Sequence, residues 1–185
     1  MLSIVQNGDP VLRAKAKEVP VSEIKSAKIQ KIIREMTSAL ETQDDGVALA
    51  APQIGLSLRI FVVSKAVIEM PEDLKKRVEL KDRKELKRSA GYLVFINPVI
   101  AKLSREKAIL DEGCLSVRPL YGKIKRAKKA SIRAYDEKGV LFERGASGLL
   151  AQIFQHETDH LDGVLFIDKA TNLKEMRPEP AVDNN

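Results

Sequence analysis

Residues Phe154–Gly163 read FQHETDHLDG, and the fold turns on whether that stretch is a helix. It holds both histidines of the 185-residue chain, His156 and His160, with Glu157 between them. On a helix, residues four apart share a face, with about 5–6 Å between Cβ atoms, so the two imidazoles can hold one ion. The same stripe runs back through Ile153 and Leu149, so the histidine face is also the apolar face. Unsatisfied imidazoles there would cost free energy, which favours a metal site over an ordinary helix carrying two histidines. Glu157 falls on the neighbouring stripe with Leu150, Phe154 and Leu161. Apolar surroundings raise a carboxyl's pKa and a nearby cation lowers it, which suits a group that must take and return a proton. Ser147 or Gly145 can cap the start of this helix and Gly163 its end; Asp159 and Asp162 point elsewhere, as supporting or capping groups.

Working outward, Ile24–Gln43 places Ile29, Ile32, Ile33, Met36 and Leu40 at helical spacing and predicts an amphipathic helix. DDGVALAAPQIG (Asp44–Gly55) reads as a loop of small residues, and Leu58–Val63 as a strand. Met70–Gly91 is densely charged with little core pattern and reads as a solvated excursion. YLVFINPVI (Tyr92–Ile100) predicts a strand ending at Pro98, and a further strand leads into DEGCLSV (Asp111–Val117). ASIRAYD and VLFER flank EKG as a hairpin. Several strands and two helices without β-α-β alternation give α+β, in a single domain over residues 1–185. The polar, proline-broken tail is expected to fray from about residue 170.

Composition narrows the function. The formal charge is +6 and the pI near 9.4, but both signs are interspersed and no RNA-binding motif accompanies them. Sequence-specific nucleic-acid binding is therefore not expected. The single cysteine, Cys114, excludes an intramolecular disulfide and fits a reducing compartment. With no signal peptide and no long apolar run, the chain reads as soluble, cytoplasmic and not membrane-bound.

The pattern H-E-x-x-H puts two imidazoles on an ion and the glutamate beside its water. A catalytic site of that kind needs a third protein ligand and an open position. Downstream only Glu175 and Glu179 follow, in the polar tail; upstream stands Cys114, beside Glu112 and Gly113. A lone cysteine is by default a small buried hydrophobe, but next to H-E-x-x-H a thiolate ligand is the better reading.

Three segments now stand together: GVALAAPQ (Gly46–Gln53), EGCLS (Glu112–Ser116) and QHETDHLDG (Gln155–Gly163). In order, spacing and wording they resemble the three signature motifs of the peptide deformylases. GDPVLR near the start and GVLFID after the helix are also like that family, and the resemblance spans about residues 3–169 apart from the charged excursion. It implies antiparallel or mixed β-sheets packed around a central helix that carries H-E-x-x-H. It implies removal of the formyl group from N-formylmethionyl nascent peptides, with formate released. Cys114, His156 and His160 would hold one divalent ion, typically Fe²⁺, with Ni²⁺, Co²⁺ or Zn²⁺ able to replace it. Metal-bound water would attack the formyl carbon, with Glu157 as general base and then acid. Gln53, through its side-chain amide, and Leu115, through its backbone N–H, would stabilise the oxyanion. Gly46, Val47, Ala48, Glu112 and Gly113 are expected along the bound peptide, and Leu149 and Ile153 around the methionine side chain.

The chain departs from the family pattern in two places. Ala48 stands where the first motif usually has a second glycine, which adds a methyl and makes any positive φ costly. VRPLYGKIKR (Val117–Arg126) is unlike the commonest members, so the resemblance assigns no substrate role to Tyr121 or Arg126. Ribosome contact through the basic surface is a further expectation. Two competitors remain at this stage: a zinc endopeptidase, which leaves EGCLS unexplained, and a non-catalytic metal- or peptide-binding module, which has no need of Glu157 and Gln53.

Overall fold

Ile60–Ser64 (β2) is buried along its whole length and separates the two faces of the main sheet. Alternate side chains of a strand point to opposite faces. Ile60 and Val62 pack on one side with Ile29, Ile32, Ile33, Met36 and Leu40 of the helix Ala27–Glu41 (α1). Phe61 and Val63 pack on the other with Ala151, Ile153, Phe154 and Leu161 of the helix Gly148–Leu161. Phe95 links the layers of that second cluster, its ring stacked on Phe61 at 4.5 Å and edge-on to Phe154 at 5.3 Å. Each such aliphatic or aromatic side chain contributes about 1.5–3 kcal/mol when fully buried.

The computed structural model describes residues 3–69 and 88–175. Most of the charged excursion, 70–87, lies outside the described residues. The architecture is α+β with two antiparallel sheets. One has the order β1-β2-β3-β6-β7, built from Ala48–Ala50 (β1), β2, Tyr92–Leu103 (β3), Lys129–Tyr135 (β6) and Leu141–Ser147 (β7). The other runs β4-β5-β8, from Lys107–Gly113 (β4), Leu120–Ala127 (β5) and Thr171–Glu175 (β8). A short helix, Lys65–Glu69 (α2), follows β2, and Gly148–Leu161 is α3. Among the described residues no helix is long and apolar enough to cross a membrane.

Both long helices fall where their periodicity places them. Ser26 Oγ accepts the Ile29 N–H at 3.3 Å and caps α1. Ser147 occupies the N-cap position of α3 but makes no side-chain cap bond, and Gly163, just past its end, takes φ 76°. There a Cβ would lie 2.4 Å from the Arg13 carbonyl oxygen, so glycine lets the N-terminal segment cross the helix end. The expected hairpin is present: β6 pairs with β7 across a turn closed by Asp136 and Gly139.

Three expectations are corrected. The stretch read as a loop contains β1 and a 3-10 turn, Ala51–Ile54; Leu49 points to the α1 cluster while Ala48 and Ala50 point to α3, whose approach their small size allows. The strand expected to end at Pro98 continues to Leu103, because a bulge between Ile96 and Val99 takes the proline out of the ladder. Asn97, at φ 51° in that bulge, bonds both the N–H (2.8 Å) and the carbonyl (2.7 Å) of Val19. The tail is paired beyond residue 170: Thr171–Glu175 (β8) pairs antiparallel with β5, and from residue 176 on the tail lies outside the described residues.

Candidate metal centre

The site forms where α3 passes beneath the C-terminal end of β4. β4 ends at Gly113, which delivers Cys114 and Leu115; α3 delivers His156, Glu157 and His160; the turn after β1 delivers Gln53. A Cβ on Gly113 would lie 2.4 Å from Tyr121 Cε1, so any larger residue here requires that ring to move.

One ligand atom from each of Cys114, His156 and His160 lies within 4.8 Å of the others. Cys114 Sγ is 3.1 Å from His160 Nε2, and the two imidazoles stand edge to face with centroids 4.9 Å apart. His156 Nδ1 meets Glu112 Oε1, which leaves its Nε2 for an ion. His160 is 1% exposed and its Nδ1 has no partner among the described residues; burial holds it well below the ordinary histidine pKa, as a neutral donor. Two imidazoles and a sulfur, with no fourth protein ligand in the group, are a donor set that fits a catalytic metal ion with one open position. Glu175, the downstream alternative, is exposed on β8 and is not in the group; Glu179 lies outside the described residues.

Glu157 is buried beside these residues with Oε2 unpartnered among the described residues, and burial pushes its carboxyl up to about 7, against the lowering effect of His156. Gln53 is held in one orientation. Its Oε1 accepts the Ala50 N–H at 2.8 Å, which turns Nε2 toward Ser116 Oγ (3.3 Å) and Cys114 Sγ (3.5 Å). The Leu115 carbonyl accepts from Gln6 Nε2 at 3.0 Å, while its N–H has no acceptor among the described residues.

A cleft of about 350 Å³ opens over this group. The residues expected along the peptide, Gly46, Val47, Ala48, Glu112 and Gly113, line it, as do Leu149 and Ile153, expected around the methionine side chain. Three of them carry more specific constraints. A Cβ on Gly46 would meet Leu40 Cδ1 at 2.8 Å and Gln43 Cβ at 2.9 Å, so the glycine answers to α1 packing. Ala48 is extended, paired opposite Val63 and 6% exposed, so the anticipated positive-φ strain does not arise. Both Glu112 oxygens are already engaged, by His156 and by Arg126 at 2.7 and 3.1 Å.

Sequence reasoning missed Arg126. It is 5% exposed and shares its guanidinium between Glu112 and Asp159, the latter at 2.6 Å. Burial alone would raise Glu112, yet hydrogen bonds from His156 and Arg126 outweigh it and hold the carboxyl at about 2. Asp159 also accepts Lys169 at 2.8 Å, and Asp162 pairs with Arg59 at 2.7 Å, where the arginine also bonds the last helical carbonyl, Leu161 (3.2 Å). The signal for Arg126 was present in β5, where Lys123 and Lys125 face out while Ile124 and Arg126 face in. A cation in the buried phase of a strand implies a buried acid.

Comparison with known proteins agrees with the geometry. The family model for polypeptide deformylase matches residues 1–176. A peptide deformylase of Halothermothrix orenii is 39% identical over 175 residues, covering 95% of this chain and 97% of that protein. A chloroplastic/mitochondrial peptide deformylase 1A of Arabidopsis thaliana is 42% identical over 170 residues. The match covers 90% of this chain and 60% of the plant protein, so the chain spans only that part of its length. Among solved structures, the Thermotoga maritima peptide deformylase superposes with a TM-score of 0.74 at 33% identity, covering 92% of this chain and 98% of that one. A Synechococcus elongatus peptide deformylase in complex with actinonin gives 0.74 at 34%, covering 92% and 79%.

Proposed function

The chain belongs to the polypeptide deformylase family, and from that premise we propose that it hydrolyses the N-formyl group from the formylmethionine that begins nascent polypeptides, releasing formate. The observation that carries this reading is the convergence of Cys114, His156 and His160 within 4.8 Å beside an unpartnered Glu157 oxygen.

In this reading α3 is the central helix of the fold and carries two of three ligands to one divalent ion, Fe²⁺ in the cell, with Ni²⁺, Co²⁺ or Zn²⁺ able to substitute. When bound, such an ion supplies a hydroxide nucleophile at neutral pH and polarises the formyl carbonyl. Glu112 orients His156 through Nδ1, and Arg126 fixes Glu112. Glu157 takes the proton of the attacking water and returns it to the departing α-amine. Gln53 Nε2 and the Leu115 N–H donate to the oxygen on which negative charge develops; one such donor is commonly worth about 2.7–4 kcal/mol. Leu149 and Ile153 flank the methionine side chain, and Gly46–Ala48 with Gly113 flank the peptide backbone.

The test is direct. Protein purified anaerobically and loaded with Fe²⁺ or Ni²⁺ is given formyl-Met-Ala-Ser, and formate is measured. No formate above blank removes the proposal. Glu157→Ala keeps its metal while the rate falls by orders of magnitude; loss of metal would make Glu157 a ligand and not the base. Cys114→Ser retains metal more weakly, whereas unchanged metal content would return the cysteine to simple packing. A cytoplasmic location and ribosome contact through the basic surface complete the proposal. Absence of ribosome co-pelleting at low salt removes the second.

A further inference from the structure

We propose that the ion pair between Arg118 and Asp45 is a clamp that ties together two segments lining the cleft and thereby sets the affinity for the formylated peptide. The proposal rests on the deformylase reading above.

The two residues are 73 apart in sequence, and their side chains meet as Arg118 Nη2 to Asp45 Oδ1. Both line the cleft, and among the described residues Arg118 is the only lysine or arginine that does. They come from two chain segments that both line the cleft. Asp45 precedes Gly46 and the segment leading to Gln53; Arg118 ends the segment that begins at Cys114 and Leu115. The segments also touch here, since a Cβ on Gly46 would lie 3.3 Å from Leu115 Cδ1. The pair and this contact together tie the two lining segments to each other beside Gly46 and Leu115.

The clamp acts on binding and not on the chemical step, because the oxyanion donors are held by other bonds. Gln53 is fixed by Ala50 and Ser116, and the Leu115 carbonyl by Gln6. Asp45 and Arg118 are 54% and 44% exposed, so the pair is screened by salt and worth about two- to fivefold in an equilibrium. Arg118 and Asp45 are positioning residues on this account, neither of them contacting the reacting atoms.

The experiment uses Ni²⁺-loaded protein and formyl-Met-Ala-Ser amide, an uncharged substrate that offers Arg118 no carboxylate. Asp45→Asn and Arg118→Gln each raise KM about two- to fivefold and leave kcat within about twofold. The double variant is no worse than either single one, and the exchanged pair, Asp45→Arg with Arg118→Asp, recovers most of the loss. An effect of Arg118→Gln without one of Asp45→Asn would mean direct contact with substrate and overturns the clamp. So does an unchanged KM in either single variant, or an exchanged pair that recovers nothing. A second readout is independent of turnover: hydrogen exchange at the Gly46 amide, which donates to the Gln43 carbonyl at 3.3 Å, accelerates in both single variants. If the wild type releases no formate, the deformylase reading fails by itself. The clamp then stands or falls on exchange, and unchanged exchange overturns it.

Discussion

Two arginine–carboxylate pairs flank the same cleft and differ mainly in their access to water. Beside the Cys-His-His group, Arg126 and Glu112 are each 5% exposed; Arg118 and Asp45, which also line the cleft, are 44% and 54% exposed. The buried guanidinium is shared between two carboxylates, one of which also holds His156. Every partner there is fixed by another, and any one left alone would be a buried charge. The exposed pair has water as an alternative partner, so its loss is cheap and its geometry can adjust. The molecule thus fixes the Cys-His-His group through buried charge and leaves the Arg118–Asp45 side of the cleft compliant.

Breaking the buried side tests this contrast most severely. Arg126→Met leaves Glu112 and Asp159 without their guanidinium in a dry site, and stability falls by about 3–5 kcal/mol. Urea unfolding of metal-free protein measures it, and dialysis against a chelator then shows faster metal loss as His156 loosens. A drop below about 1 kcal/mol would place Arg126 in the same class as Arg118 and dissolve the distinction.

Gln53 sits between the two regions, 2% exposed and bonded to both lining segments. Gln53→Leu removes the donor and lowers kcat by an amount equivalent to about 2.7–4 kcal/mol, with metal content unchanged. A loss under tenfold would mean that the amide only ties the Ala50 turn to Ser116. Gly46→Ala then asks how much of the compliant side is packing. The added methyl meets Leu40 and Gln43 below 3.0 Å. Such overpacking costs about 1–3 kcal/mol, read as a lower urea midpoint together with a raised KM. No change in either would make that segment softer than its contacts suggest.

What could be read from the sequence follows the same division. The helix of His156 and His160 was legible because its apolar stripe and its ligand stripe coincide, and Gln53 and Cys114 came into view through their motifs. α1 was legible from its five spaced apolar residues. β1 was not, because Ala48–Ala50 is too short and too small to show an alternation. β8 was not, because all five of its residues are exposed and it is held by backbone pairing to β5. The continuation of β3 was hidden by Pro98, whose ring argues against a strand unless a bulge is known to be there. Arg126 and its partners lie in three separate segments, at 112, 126 and 159, and only the fold brings them together.

The smallest effect belongs to a third pair, which tests whether exposure alone sets the scale. Arg13 Nη1 meets Asp168 Oδ2 at 2.5 Å, with side chains 42% and 37% exposed, and the same oxygen accepts the Leu165 N–H at 2.9 Å. Burial works to raise the Asp168 carboxyl, but Arg13 and the Leu165 N–H outweigh it and hold it below its ordinary value. A depressed carboxyl means that the unfolded chain binds the proton first as pH falls. The stabilisation is therefore fully present above the ordinary aspartate pKa, about 3.9, and is lost as pH drops through the lowered folded value. For so exposed a pair it amounts to less than about 1 kcal/mol. Asp168→Asn keeps an acceptor for Leu165 and abolishes the titration. Urea midpoints of the wild type should fall more steeply with acid below that aspartate value than those of the variant, and the two should lie close together near neutral pH. Parallel acid slopes would remove Asp168 from the pH response. A neutral-pH loss comparable to that of Arg126→Met would show that something other than solvent access separates the two pairs at the cleft.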